Sequence, residues 1–134
     1  MANRNFANAG KLYAMQVSPV MVTTAITIGA AGAVASFVGP LTASVALAST
    51  GIYTITLEDK YYAAISIHGS AQSPASGLSG VSSIEIQNAP STSVAATIPT
   101  ITIKCLDADG AVVDPASGSV IDILAILNNS SVKS

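Results

Sequence analysis

Between Leu12 and Leu57 the chain carries no Asp, Glu, Lys or Arg, yet Thr, Ser, Gly and Pro interrupt it throughout. A membrane-crossing helix needs about 20 strongly apolar residues in a row, and this stretch never supplies them. What it supplies is alternation. Val20, Val22, Thr24, Ile26 and Ile28 fall on one side of an extended segment and Met21, Thr23, Ala25 and Thr27 on the other. A period of two in β-branched residues predicts a strand.

The same pattern recurs along the chain. Ala33 to Val38 and Leu41 to Ala48 read as two short strands parted by Gly39-Pro40, the second from the alternation of Leu41, Ala43, Val45 and Leu47. From Gly51 to Leu57, Tyr53, Ile55 and Leu57 point one way and Thr54 and Thr56 the other. Ala63 to Ile67 follows, with Ile65 and Ile67 expected inward and Ser66 and His68 outward. His68 to Gly80 is rich in Ser, Gly, Ala and Pro and reads as a long loop. Ser82 to Gln87, Thr100 to Leu106 and Ser119 to Leu127 complete the set. The last is apolar on both sides, as expected of a strand buried twice or covered by a neighbouring subunit. Asp107-Ala-Asp-Gly110 and Asp114-Pro-Ala-Ser-Gly118 carry turn chemistry. The expectation is an all-β fold, an antiparallel β-sandwich or small β-barrel. Residues 1–11, rich in Asn and Ala and without a period, form an extended N-terminal arm, and residues 12–134 form one domain.

Charge bounds the function. Half of the residues are hydrophobic and 9% are charged, with a formal net charge of -2. An ordinary soluble domain has about a quarter charged, so much of this surface is uncharged and suited to cover by another protein. Five basic residues scattered over the chain make no stripe for nucleic acid. Arg4 and Lys11 precede an apolar stretch in which Ala33-Val34-Ala35 imitates a cleavage site, but Pro19, Thr23, Thr24, Thr27, Gly29 and Gly32 break it. Neither a signal peptide nor a membrane span is expected.

Chemistry-bearing residues are few. Cys105 is the only cysteine, which forbids an internal disulfide and a thiolate zinc cluster; sharing a strand side with Ile101 and Ile103, it reads as a core residue. His68 is the only histidine, so every imidazole-based triad or metal site would pass through it, and its outward position favours a structural role. Asp107, Asp109 and Asp114 around Gly110 resemble part of a calcium loop, but the closing bidentate Glu is absent and a turn explains them. Glu58 and Asp59 are adjacent and diverge on a strand, while Tyr61-Tyr62 without any Trp makes a poor sugar platform. No enzyme activity, cofactor or metal is expected. Asp122, inside an apolar strand, is expected to find a hydrogen-bonding or charged partner.

At Gly51-Ile-Tyr-Thr-Ile-Thr-Leu-Glu-Asp-Lys-Tyr61, at Ala108-Asp-Gly-Ala-Val-Val-Asp-Pro-Ala-Ser-Gly118 and at Asn128-Asn-Ser-Ser131, the chain resembles small virion structural proteins of tailed bacteriophages. That resemblance implies a head decoration, or cement, protein on the capsid exterior. It also implies an Asp-Pro-Ala-Ser-Gly hairpin before the final strand. The partners it implies are the major capsid protein and further copies of the chain, as a homotrimer or else a dimer. The arm, with Arg4, Phe6 and Lys11, would order against the shell. Two other readings share the fold: a tail or neck component, and a carbohydrate-binding or adhesin sandwich.

Overall fold

The structure, a computed structural model, describes residues 19–58, 64–89 and 100–127. Eight strands run through them: β1 (Val20–Ile28), β2 (Val34–Val38), β3 (Thr42–Ser49), β4 (Ile52–Leu57), β5 (Ala64–Gln72), β6 (Ser83–Asn88), β7 (Thr100–Leu106) and β8 (Val120–Leu127). They form two four-stranded sheets, one in the order β2-β1-β8-β5 (sheet A) and the other β3-β4-β7-β6 (sheet B), antiparallel at every pairing. The fold is the sandwich of the two all-β forms expected. The arm, residues 1–11, lies outside the described residues.

Alternation decides which side chains meet between the sheets. Val22, Ile26 and Ile28 from β1 and Ile121, Ile123, Ala125 and Leu127 from β8 pack on Tyr53, Ile55, Leu57, Ile101, Ile103 and Cys105 from β4 and β7. All thirteen are buried. Each branched aliphatic side chain removed from water in this way stabilises the fold by about 1.5–3 kcal/mol. The first and last strands lie together in sheet A, paired without a break from Val20 with Leu127 to Thr27 with Val120.

Four sequence expectations are corrected. The segment from His68 read as loop is strand as far as Gln72, fully paired to β8, and the loop proper is confined to 73–82. Small residues disguise it for a reason. A Cβ on Gly69 would stand 2.7 Å from Ile84 Cγ2 and 2.9 Å from Ile123 Cδ1, so glycine is what lets β6 close against this edge. Ile65, expected inward, is half exposed because the register of β5 shifts between Ala64 and Ser66. A second shift between Thr42 and Ser44 turns Thr42 inward and Ala43 outward, reversing the parity read from Leu41 and Ala43 while Val45 and Leu47 stay opposite core residues Ile55 and Tyr53. Finally, Asp114-Pro-Ala-Ser-Gly118 is not a hairpin: it carries the chain from β7 in sheet B to β8 in sheet A.

One end of the sandwich is tied across the two sheets. Tyr53, buried on β4, donates its phenol to the Gly32 carbonyl at 2.6 Å, in the 3-10 turn that links β1 to β2. Asp114 Oδ1 accepts the Gly51 amide at 2.7 Å. Gly32 and Gly51 both have positive φ, 75° and 67°, and a Cβ on either would collide, on Gly32 with the Asp114 carboxyl at 2.5 Å and on Gly51 with the Val113 carbonyl oxygen at 2.4 Å. Three turns therefore share one joint. A further tie, between the hydroxyls of Thr24 on β1 and Thr42 on β3, joins the sheets elsewhere. Replacing Tyr53 with Phe is expected to lower the unfolding free energy by about 1–3 kcal/mol, the cost of stranding a buried carbonyl; a urea midpoint equal to that of the parent protein would refute the tie.

Candidate interface on the outer face of sheet A

The two outward-facing surfaces of the sandwich differ in chemistry. On sheet B, the middle of the outer face is polar: Thr54 faces Thr102, Thr56 faces Thr100 and Glu85 faces Lys104, with Ile52 and Leu106 toward its end. Sheet A is apolar along its middle. Register places Met21 beside Ile126 and Ser66, Thr23 beside Leu124 and His68, and Val38 and Ala25 beside Asp122 and Ser70. Met21 is 62% and Val38 73% exposed. An open groove of about 520 Å³ crosses this face between Val38 and His68. β8 is thus apolar on both sides with only its inner side buried, which leaves the other available to a partner.

Among the described residues, the charged and nucleophilic groups on this face form two separate contacts. Ser66 Oγ and His68 Nε2 are 2.8 Å apart on one exposed strand side, two members of a nucleophilic relay. Asp122, which such a relay would need behind the imidazole, instead accepts a hydrogen bond from Gln72 Nε2. That contact meets the expectation of a partner for Asp122, and it lies within the chain. Ser66 lies on the edge strand β5, paired with Ile126 of β8 beside the register shift at Ala64.

Elsewhere Asp107 and Asp114 are engaged structurally. Asp107 Oδ1 accepts the amides of Asp109 and Ala111, each at 2.9 Å, closing its own turn. Asp114 is drawn away to Gly51, so the three carboxylates read as a partial calcium loop do not converge. Among the described residues no group of three or more His, Cys, Asp or Glu is placed to hold a metal ion, and no helix is long and apolar enough to cross a membrane. Cys105 is buried, and burial, helped by Asp114 nearby, pushes its thiol up to about 11 from the ordinary 9.0. Burial likewise raises the Tyr53 phenol, with Cys105 and Asp114 adding to the effect.

Arg4, Phe6 and Lys11, expected to contact a shell, lie outside the described residues, as do Asp59, Lys60, Tyr61 and Tyr62. The apolar outer face of sheet A is half visible in the sequence. The two-sided apolarity of β8 pointed to it, but the partners of that strand, β1 and β5, are distant in the chain and only the register reveals the rows.

The raised thiol has a testable sign. In the unfolded chain Cys105 loses its proton near its ordinary value, while in the folded chain it keeps it, so stability falls as pH rises from about 9 to about 11. Denaturant unfolding across that window is expected to show the fall, with a shallower slope in Cys105→Ala; equal slopes would contradict the burial of the thiol. Compared with protein-family models, with curated proteins and with solved structures, the chain matches none of them.

Proposed function

We propose that this chain is a non-enzymatic virion structural protein that decorates the exterior of a tailed-phage head and stabilises it by bridging capsomers. The observation that supports the reading is the apolar middle of sheet A's outer face, left uncovered by the described residues, opposite a more polar face on sheet B. A surface with one adhesive and one wettable side suits a module that lies between a larger body and water, and charge is characteristically depleted at the centre of such contacts. The resemblance to small tailed-phage virion proteins supplies the identity of the larger body, the major capsid protein, and the expectation of a homotrimer or dimer.

The mechanism is mass action. A protein that binds assembled capsomers, and not separated ones, stabilises the lattice by its own binding free energy. Many copies on one shell, or several binding elements in one oligomer, raise the retention through effective concentration. In this reading Arg4, Phe6 and Lys11 of the N-terminal arm reach the shell, the arginine through carboxylates and the phenylalanine through an apolar pocket.

The purified protein is expected to sediment with undecorated heads and to appear on their outer surface by electron microscopy. Protein that stays in the supernatant overturns the reading, and density confined to tails or necks replaces it with the tail-component alternative. The double substitution Arg4→Ala, Phe6→Ala is expected to reduce the bound fraction at limiting protein while leaving thermal unfolding unchanged. Full retention by that variant would remove the arm from the contact.

A further inference from the structure

Each sheet ends in two edge strands, β2 and β5 in sheet A and β3 and β6 in sheet B. An open edge offers rows of amides and carbonyls to any extended chain, and soluble proteins guard it with charge, proline or brevity. On one side of the sandwich β5 closes against β6 through Gly69 and Ile84, and β6 carries Glu85. On the other side β2 has only five residues. β3 has eight, with neither a charge nor a proline among them. Its Leu47, on the inner side opposite Tyr53, is 37% exposed. This is the edge left without those guards.

The ladder to β4 fixes which backbone groups the edge presents. The Gly51 carbonyl accepts the Cys105 amide of β7 at 2.8 Å, and the Glu58 amide donates to the Leu41 carbonyl at 3.0 Å. Backbone groups alternate in direction along a strand, so Tyr53 and Ile55 bond toward β7 while Thr54 and Thr56 bond toward β3. Ala46, opposite Thr54, is therefore bonded into the sheet. Val45 and Leu47, on either side of it, aim their amides and carbonyls away from β4. Among the described residues no backbone group is bonded to them there.

This short run is complementary to itself. Turned about a two-fold axis through Ala46, β3 meets a second β3 antiparallel, with Val45 of each copy opposite Leu47 of the other. Those two residues hold the groups aimed outward, so each such pair closes two backbone hydrogen bonds. Residues opposed in a sheet share a side, which brings Val45 against Leu47 on the inner side, where Leu47 lacks cover. Ala46 meets itself at the close, non-hydrogen-bonded position, with Cα atoms about 4.5 Å apart, a spacing suited to a methyl side chain. Because β3 holds no ionisable residue, the pairing sets no like charges together. Symmetric pairing asks all of this of one sequence, and a foreign strand asks none of it.

We propose that two copies of this chain associate through β3, antiparallel about Ala46, joining their B sheets into one continuous sheet. The axis stands perpendicular to that sheet, so the outer faces of both A sheets look the same way. The inference deepens the virion reading, choosing the dimer, and rests on it for the body that the doubled apolar face meets with two attachments. A contact of one short strand from each copy falls at the small end of protein interfaces, below about 800 Å² per partner. Association therefore depends on concentration.

The test uses the full chain in the absence of heads. Sedimentation velocity over a concentration series is expected to show a monomer–dimer equilibrium. Ala46 is exposed, and Ala46→Lys and Ala46→Glu should each raise the dissociation constant by roughly fivefold or more, as like charges set directly opposite do. Mixing the two variants should restore dimers. Ala46→Cys should give a linked dimer on a non-reducing gel under mild oxidation. Ser44→Cys should not, because in this register the two copies of residue 44 stand about 14 Å apart. Cys105 is fully buried and does not compete. If a charged variant fails to fold, the cysteine pair still decides. A monomeric parent, a dimer indifferent to charge at position 46, or Ser44→Cys linking as readily as Ala46→Cys overturns the proposal. So does hydrogen exchange that finds the Val45 and Leu47 amides protected in the monomer, since the chain then covers its own edge. Pelleting with heads is scored apart: a dimer that ignores heads sinks the virion reading alone, and a monomer that binds them sinks this proposal alone.

Discussion

The position of β8 governs this molecule. It is hydrogen-bonded to β1 on one side and β5 on the other along almost its whole length, so nearly all of its backbone donors and acceptors are committed within the sheet. Its inner side chains, Ile121, Ile123, Ala125 and Leu127, fill the centre of the core. Its outer side chains then have no choice of environment: whatever is placed at 120, 122, 124 and 126 is presented at the middle of sheet A. Val, Asp, Leu and Ile there make a surface that water solvates poorly. The apolar face is thus a consequence of where the last strand is inserted.

Much of this was legible because alternation is a local signal. β1, β4, β7 and β8 follow a strict period of two, and in each one of the two sides read from the sequence turns out to be the core side. The misreadings share one physical origin, which is that the deciding partner lies far along the chain. Gly69 and Ser70 look like loop until β6 and β8 are placed beside them. Ala43 and Ile65 sit at register shifts, and one displaced residue reverses the sidedness of everything before it. Asp114 has the composition of a turn residue, yet its partner is an amide 63 positions upstream.

The candidate interface was legible to the same degree. Asp122 stood out as a charge in an apolar strand, and the need for a partner followed from desolvation alone. That Gln72 answers it depends on β5 extending farther than its composition suggested. The asymmetry between a threonine-lined and an aliphatic sheet surface was beyond reach of a strand-by-strand reading, since each strand has one outward side and only the order of strands in a sheet sums those sides into a surface. Scarcity of charge, by contrast, is a property of composition, and it bounded the chemistry before any fold was known.

The adjacency of Val20 and Leu127 has a mechanical corollary. Force applied between the start of the first strand and the end of the last acts across their shared ladder, opening its hydrogen bonds one after another instead of shearing all of them together. A module anchored through both of those points would peel apart at low tension, beginning at the mouth of sheet A, while the joint of Tyr53, Gly32, Asp114 and Gly51 at the opposite end would be the last part to feel the pull. Strength against rupture therefore depends on attaching the chain from one of those two points only.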